Sequence, residues 1–213
     1  MPELSEISDL TDKFSCMYKK KKYKWYDGKG RYLTAGGILP YDVKGIWVIG
    51  EQDKSGIITY TDAGGKYQFE DGDIFKTIAR EFGEETYHTC DVTRSQISDL
   101  ANIYDPVYVN GHENKPVYMC LVVPKMSLEG VLFNDDLLKL ARDRVLKENP
   151  FVPPNYYNSI TIRRIPFDQL NSPDIRLSYR LRRILKHGPL SSKIPFFDSP
   201  RSSPTSSFKD EKI

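Results

Sequence analysis

Between Ser55 and Tyr87 the apolar residues change their period, and that change limits the folds open to the chain. "SGIITYTDAGG" is a β-branched run that stops at paired glycines, whereas Ile74, Phe75, Ile78 and Phe82 recur at helical spacing. The first pattern predicts a strand ending at Asp62, and the second an amphipathic helix over 73–87. Gly64 and Gly65 read as a backbone bend between them, and Asp73 as the cap of the first helical turn. On that helix Glu81, Glu84 and Glu85 stand at i, i+3 and i+4, so they share one face. Like charges at this spacing cost roughly 0.2–0.5 kcal/mol per pair, and the stripe needs positive charge nearby. Three carboxylates are an all-oxygen donor set suited to a hard cation, Mg2+ first and Mn2+ second. The plain alternative is a charged stripe facing water.

The flanking segments predict an α+β domain. "YLTAGGIL" and "GIWVIGE" are apolar strand candidates on either side of the turn-forming "YDVKG". "ANIYDPVYV" and "KPVYMCLVV" read as two strands around an Asn110-Gly111 turn. "FNDDLLKLARDRVLKEN", 133–149, is a helix with Leu137, Leu138, Ala141 and Val145 as its apolar stripe, "NSITIRRIPFDQL" a further strand, and "IRLSYRLRRILKH" a basic helix stopping at Gly188-Pro189. Residues 1–31 form a basic arm ending in "KKKKYKWYDGKGR", the domain occupies 32–188, and the Ser/Pro-rich 189–213 is expected to be disordered.

With 213 residues, 39% hydrophobic and 28% charged, the chain fits a soluble protein of one substantial domain. No apolar run approaches the ~20 residues of a membrane span, and the N-terminus lacks a signal-peptide layout. Cys16, Cys90 and Cys120 show neither a disulfide framework nor zinc-ligand spacing. Reduced thiols in a cytoplasmic protein are the expectation. A net charge of +2 excludes a strong polyelectrolyte, so local patches must carry any affinity for polyanions.

Taken together, "DAGGKYQFEDGDIFKTIAREFGEET" resembles the Nudix box, G-x5-E-x7-R-E-U-x-E-E-x-G-U, where U is bulky and apolar. Arg80, Glu81, Phe82, Gly83, Glu84 and Glu85 match in register, and Gly64, Gly65 and Lys66 look like the loop that opens the box. The resemblance covers 32–186 and implies an α/β/α sandwich with a mixed central sheet. It also implies that Glu84 and Glu85 are metal ligands, that Glu81 is a ligand or the base that activates water, and that Arg80 holds the glutamates. Gly64, Gly65 and Lys66 would meet the substrate, and the cofactor would be Mg2+ or Mn2+. Three positions depart from the pattern. Gly72 stands where it places a glutamate, with Asp73 or Glu70 as replacements. Tyr87 stands in place of the closing glycine, and His88 in place of an apolar residue. A further carboxylate is expected from Glu113, Glu129 or Glu148.

The reaction implied is hydrolysis of a phosphoanhydride bond in a nucleoside diphosphate linked to another moiety. In "KKKKYKWY" the lysines 19, 20, 21, 22 and 24 (Lys19, Lys20, Lys21, Lys22, Lys24) alternate with rings, as on single-stranded nucleic-acid surfaces. Arg163, Arg164, Arg176, Arg180, Arg182, Arg183 and Lys186 form a second basic cluster, and arginine forks suit phosphates. Both features favour capped RNA as substrate and mRNA decapping as function, and the layout looks like that of the Nudix decapping enzymes of large cytoplasmic DNA viruses. Diphosphoinositol polyphosphates and free nucleotides are the alternatives, and a non-catalytic Nudix binding module is the reading from another class. "IPFFDSP" in the tail reads as a docking segment for a protein partner, and the resemblance adds homodimerisation as an expectation.

Overall fold

The structure, a computed structural model, describes residues 25–26, 32–110, 117–149 and 158–194. Eight strands make one mixed sheet of two leaves. In the first leaf, β2 (Tyr32–Tyr41) runs between β5 (Ala63–Lys66), antiparallel, and β7 (Val117–Pro124), parallel; β6 (Val107–Val109) pairs with β7 and β1 (Trp25–Tyr26) with β2. In the second leaf, β3 (Gly45–Gln52) lies between β4 (Ile58–Thr61) and β8 (Ser159–Pro166), both antiparallel. The two leaves join at the β2–β3 turn, where Tyr41 pairs with Ile46, and through β4 and β5, which are separated only by Asp62.

Helices cover both faces. The apolar positions expected for the box helix form α1 (Ile74–Glu85); Ile74, Ile78 and Phe82 are fully buried in one core with Ile38, Met119 and Leu121. Helices α2 (Arg94–Ile103) and α3 (Asp135–Glu148) pack on the same side, and α4 (Tyr179–His187) closes the other around Leu39, Val122 and Ile165. Alternation along β7 divides the cores, with Met119, Leu121 and Val123 facing the first and Tyr118, Cys120 and Val122 the second. No helix among the described residues is long and apolar enough to cross a membrane.

Several expectations are corrected. Gly64 and Gly65 lie inside β5 and are not a bend. Their role is close approach: a Cβ on Gly64 would come 2.1 Å from the Tyr118 hydroxyl and 2.4 Å from the Gly37 Cα. Gly64→Ala is therefore expected to destabilise the protein by about 1–3 kcal/mol through overpacking. Urea unfolding checks this, and a parent-like midpoint would contradict it.

"ANIYDPVYV" is not all strand, because its first residues belong to α2. That helix opens on a capping box, in which the Thr93 hydroxyl accepts from the Gln96 N–H (3.2 Å) and Gln96 Oε1 accepts from the Thr93 N–H (2.8 Å). On α3, Leu138 is fully buried but Leu137 is exposed, so the apolar stripe is narrower than expected. Part of the basic arm, Trp25–Tyr26, lies in the sheet as β1, and the chain past Gly188 stays packed as far as Ile194, with Leu190 and Ile194 buried in the second core. Asn110 ends a described stretch, and the rest of its turn, Glu113, Cys16, the lysines 19–22 and 24, and "PFFDSP" lie outside the described residues.

Where the two leaves change partners, a polar group is buried. Asp62 has no exposed surface and accepts from Arg180 Nε at 2.8 Å and from the Tyr118 hydroxyl; Arg180 Nη2 also reaches Thr61 Oγ1 at 3.0 Å. Burial, and then the neighbouring Asp62, raise the Tyr118 phenol far above its usual range, which keeps it neutral and donating.

Candidate active site

The site is built around one guanidinium. Arg80, on α1, donates through Nε to Asp71 Oδ1 (2.8 Å), through Nη1 to Glu84 Oε2 (2.7 Å), and through Nη2 to Asp71 Oδ2 (3.0 Å) and the Lys66 carbonyl (2.8 Å). Its Nη2 also lies 2.8 Å from Glu81 Oε1. One side chain thus ties the end of β5 and the 3-10 turn Phe69–Asp71 to two of the three glutamates. Such charge-assisted, forked contacts are the strong class of hydrogen bond.

Asp71 is the partner the sequence did not reveal. It is buried, and its Oδ2 further accepts from the Gln68 N–H and the Thr77 hydroxyl, both at 2.9 Å. Burial works to raise its carboxyl, but the hydrogen bonds from Arg80, Gln68 and Thr77 outweigh it and hold the group below the usual range. Gly65 and Asp71 keep the G-x5 spacing, and one extra residue then precedes Arg80. Gly72 takes up that residue at φ 74°, a left-handed conformation that glycine adopts at little cost. Neither Glu70 nor Asp73 replaces the expected glutamate. Asp73 caps α1 through the Lys76 N–H (2.8 Å) and pairs with Arg94 Nε (2.5 Å).

Beyond Glu85 the helix ends in a Schellman arrangement: the Tyr87 N–H reaches the Glu84 carbonyl (3.1 Å) and the His88 N–H the Gly83 carbonyl (2.7 Å). Tyr87 holds the left-handed position at φ 50° without being glycine. Its buried ring and the bond from its hydroxyl to the Ser159 carbonyl (2.7 Å) offset the strain. His88, also left-handed at φ 57°, is exposed beside Asp91, Nδ1 to Oδ1 2.9 Å. The sequence change at these two positions therefore preserves the shape of the turn.

The glutamates occupy different environments. Glu81 is buried against Gly65, where a Cβ would come 2.1 Å from Glu81 Oε2, so the strand glycine makes room for the carboxylate. Burial raises the Glu81 carboxyl, and Arg80 opposes the rise. Glu84 is half exposed. Glu85 accepts from the Ser159 hydroxyl on β8; burial pushes its carboxyl up to about 7, the Ser159 bond works against this, and the charges of Glu51 and Glu81 add to it.

Glu84, Glu85, Tyr87 and His88 line a cavity of about 490 Å3 with Gln68, Glu51, Val145, Asn158 and Ser159. Lys66 has an exposed side chain at the end of β5, while its carbonyl serves Arg80.

Of the candidate extra carboxylates, Glu129 is exposed, Glu148 faces Arg144 at 4.0 Å, and neither lines the cavity. Glu51 does. The second basic cluster is largely engaged within the fold: Arg180 with Asp62, Arg163 Nη1 with the Tyr60 hydroxyl (3.1 Å), Arg164 Nη1 with Asp42 Oδ2 (3.3 Å), and Arg182 Nε with the Leu177 carbonyl (3.2 Å). Four of the seven are thus held internally, whereas Arg176 is exposed and Arg183 Nε is buried without a hydrogen-bond partner among the described residues. Trp47 packs on Phe133 at 5.1 Å.

As the side chains lie, no three His, Cys, Asp or Glu among the described residues converge as a ready metal centre. The reason is visible in the geometry, since Arg80 draws Glu81 and Glu84 toward itself. The donors nonetheless fit a hard cation: oxygen-only, on one helix face, with Glu85 and Glu51 raised by burial beside one another.

No protein-family model matches the chain, and no curated protein matches it.

Proposed function

We propose that the chain is a metal-dependent Nudix-type pyrophosphohydrolase that cleaves a phosphoanhydride bond of a nucleoside diphosphate linked to another moiety. The observation that carries this reading is the Arg80 clasp. The R-E-x-x-E-E run is held on α1 by a buried acid standing at the G-x5 position, with its last two glutamates at the edge of a cavity. That cavity can admit a diphosphate and part of its substituent.

Glu84 and Glu85, with Glu81 beside them, would hold Mg2+ or Mn2+, which when bound would neutralise charge on the diphosphate and lower the pKa of a water. The protein's own residues provide the positioning. Arg80 and Asp71 set the helix register relative to β5, Ser159 orients Glu85, and Glu81, buried between Gly65 and Arg80, is the proposed base or ligand. Lys66, exposed at the end of β5, is the proposed phosphate contact.

Within this reading capped RNA is the proposed substrate, and the lysines 19–22 and 24 are what support it. Arg163, Arg164, Arg180 and Arg182 add little, because they are bound internally. A non-catalytic binding module is the competing reading, and the departures from the box at Gly72 and Tyr87 are what favour it. Cap-labelled RNA, free cap analogue and a diphosphoinositol polyphosphate incubated with Mn2+ separate these possibilities. Release of a cap diphosphate from RNA is expected. Cleavage of the small compounds alone would remove the RNA assignment, and retention of RNA without cleavage would favour the binding module.

A further inference from the structure

Glu51 lies on β3, far in sequence from the glutamates of α1, and a break in strand register brings it to them. Along β3 and β8 the partners run regularly from Gly45–Pro166 to Gly50–Thr161, and the next pair is Glu51–Ser159. Ile160 is thus the extra residue of a β-bulge. Bulges redirect side chains and recur beside active sites. In an unbroken register Glu51 would oppose Ile160; the bulge instead sets it opposite Ser159, and directly opposed residues share a face.

Ser159 is buried and serves two partners on α1 and its terminal turn, donating to Glu85 and accepting from Tyr87. The bulge therefore assembles Glu51, Ser159 and Glu85 at one wall of the cavity. Among the described residues, nothing donates a hydrogen bond to the Glu51 carboxylate. Two carboxylates in one half-buried cavity repel unless a proton or a cation lies between them.

We propose that Glu51 is a further ligand of the divalent cation, acting with Glu85 at the same wall of the cavity. The proposal rests on the metal-dependent reading above and extends its donor set from α1 to the second leaf of the sheet. It also assigns the bulge a purpose, since a regular ladder would turn either Ser159 or Glu51 away from the site. Arg80 already engages Glu81 and Glu84, so Glu51 and the Glu85 oxygen that Ser159 does not hold are left to receive the ion first. Burial raises the Glu51 carboxyl while Arg180 opposes the rise.

The test is titration of the purified full chain with Mn2+ alone, following free Mn2+ by its electron paramagnetic resonance signal. Parent, Glu51→Gln, Glu51→Asp, Glu85→Gln and the remote Glu148→Gln are compared, with circular dichroism as the control for folding. Glu51→Gln should weaken Mn2+ binding roughly 10–100-fold; Glu51→Asp, which keeps the charge one methylene back, should lose less; and Glu148→Gln should bind like the parent. Should Glu51→Gln misfold, a loss of Mn2+ affinity in folded Glu51→Asp supports the assignment, and parent-like binding overturns it. Parent-like binding by Glu51→Gln, with loss in Glu85→Gln, overturns the role of Glu51 and leaves the metal site standing. Absence of Mn2+ binding by the parent overturns both.

Discussion

Glu85→Gln is expected to raise the melting temperature of the metal-free protein at pH 8 and to leave it unchanged near pH 4. Burial pushes the Glu85 carboxyl from its ordinary value near 4.5 to about 7. A raised carboxyl binds its proton more tightly in the folded chain than in the unfolded one. Its contribution to stability is therefore complete below about pH 4.5 and is lost as pH rises toward 7.

Glutamine reproduces the neutral acid and is spared that loss. The shift corresponds to roughly 3 kcal/mol at pH 8, or a gain of roughly 6–12 °C for a chain of this size. The same substitution should abolish metal-dependent hydrolysis. Stability and function would then oppose each other at one side chain, as expected where a charge is buried to receive a cation. Thermal scans in EDTA across pH 4–8 provide the check. A pH-independent difference between parent and variant would contradict the account.

The second large effect is expected at Asp71. Asp71→Ala removes the partner of Arg80 Nε, leaves the Gln68 N–H without its acceptor and leaves the Thr77 hydroxyl only the Asp73 carbonyl at 3.2 Å. Breaking a buried, hydrogen-bonded ion pair from one side costs about 3–5 kcal/mol, so the urea midpoint should fall sharply. Arg80 would also be freer to turn toward the glutamates alone, and hydrolysis should fall beyond what the lost stability explains. Asp71→Asn keeps the size of the side chain and one acceptor oxygen, and should lose less. A loss below about 1 kcal/mol in Asp71→Ala would mean that the clasp contributes no more than an exposed ion pair.

Local signals were read where one element carried the whole pattern. The helical spacing of Ile74, Ile78 and Phe82 located α1, and "YDVKG" located the β2–β3 turn. The errors came where one sequence sign serves two purposes. Paired glycines allow a bend, but they also allow two backbones and a carboxylate to approach, and Gly64 and Gly65 do the latter. The Thr93–Gln96 capping box is the sequence sign of α2, and the β-branched "VYV" beyond it is strand.

Asp71 was hidden by a single inserted residue, which Gly72 absorbs through a conformation that spacing alone does not show. Glu51 could not be found locally at all, because its place beside Glu85 depends on strand pairing more than a hundred residues along the chain and on a bulge within it. Leu190 and Ile194 give no periodic signal because serine and proline surround them, although two well-placed apolar side chains suffice to anchor the segment.

The most direct test of the central claim is phosphoanhydride hydrolysis measured by phosphorus NMR. Parent and Glu84→Gln, Glu85→Gln protein would be incubated with cap analogue and cap-labelled RNA, with Mn2+ and then with EDTA. The account predicts new phosphate-ester signals with parent and Mn2+ alone. Cleavage that persists in EDTA or in the doubly substituted protein would contradict it, as would a parent that cleaves neither compound with Mn2+ present.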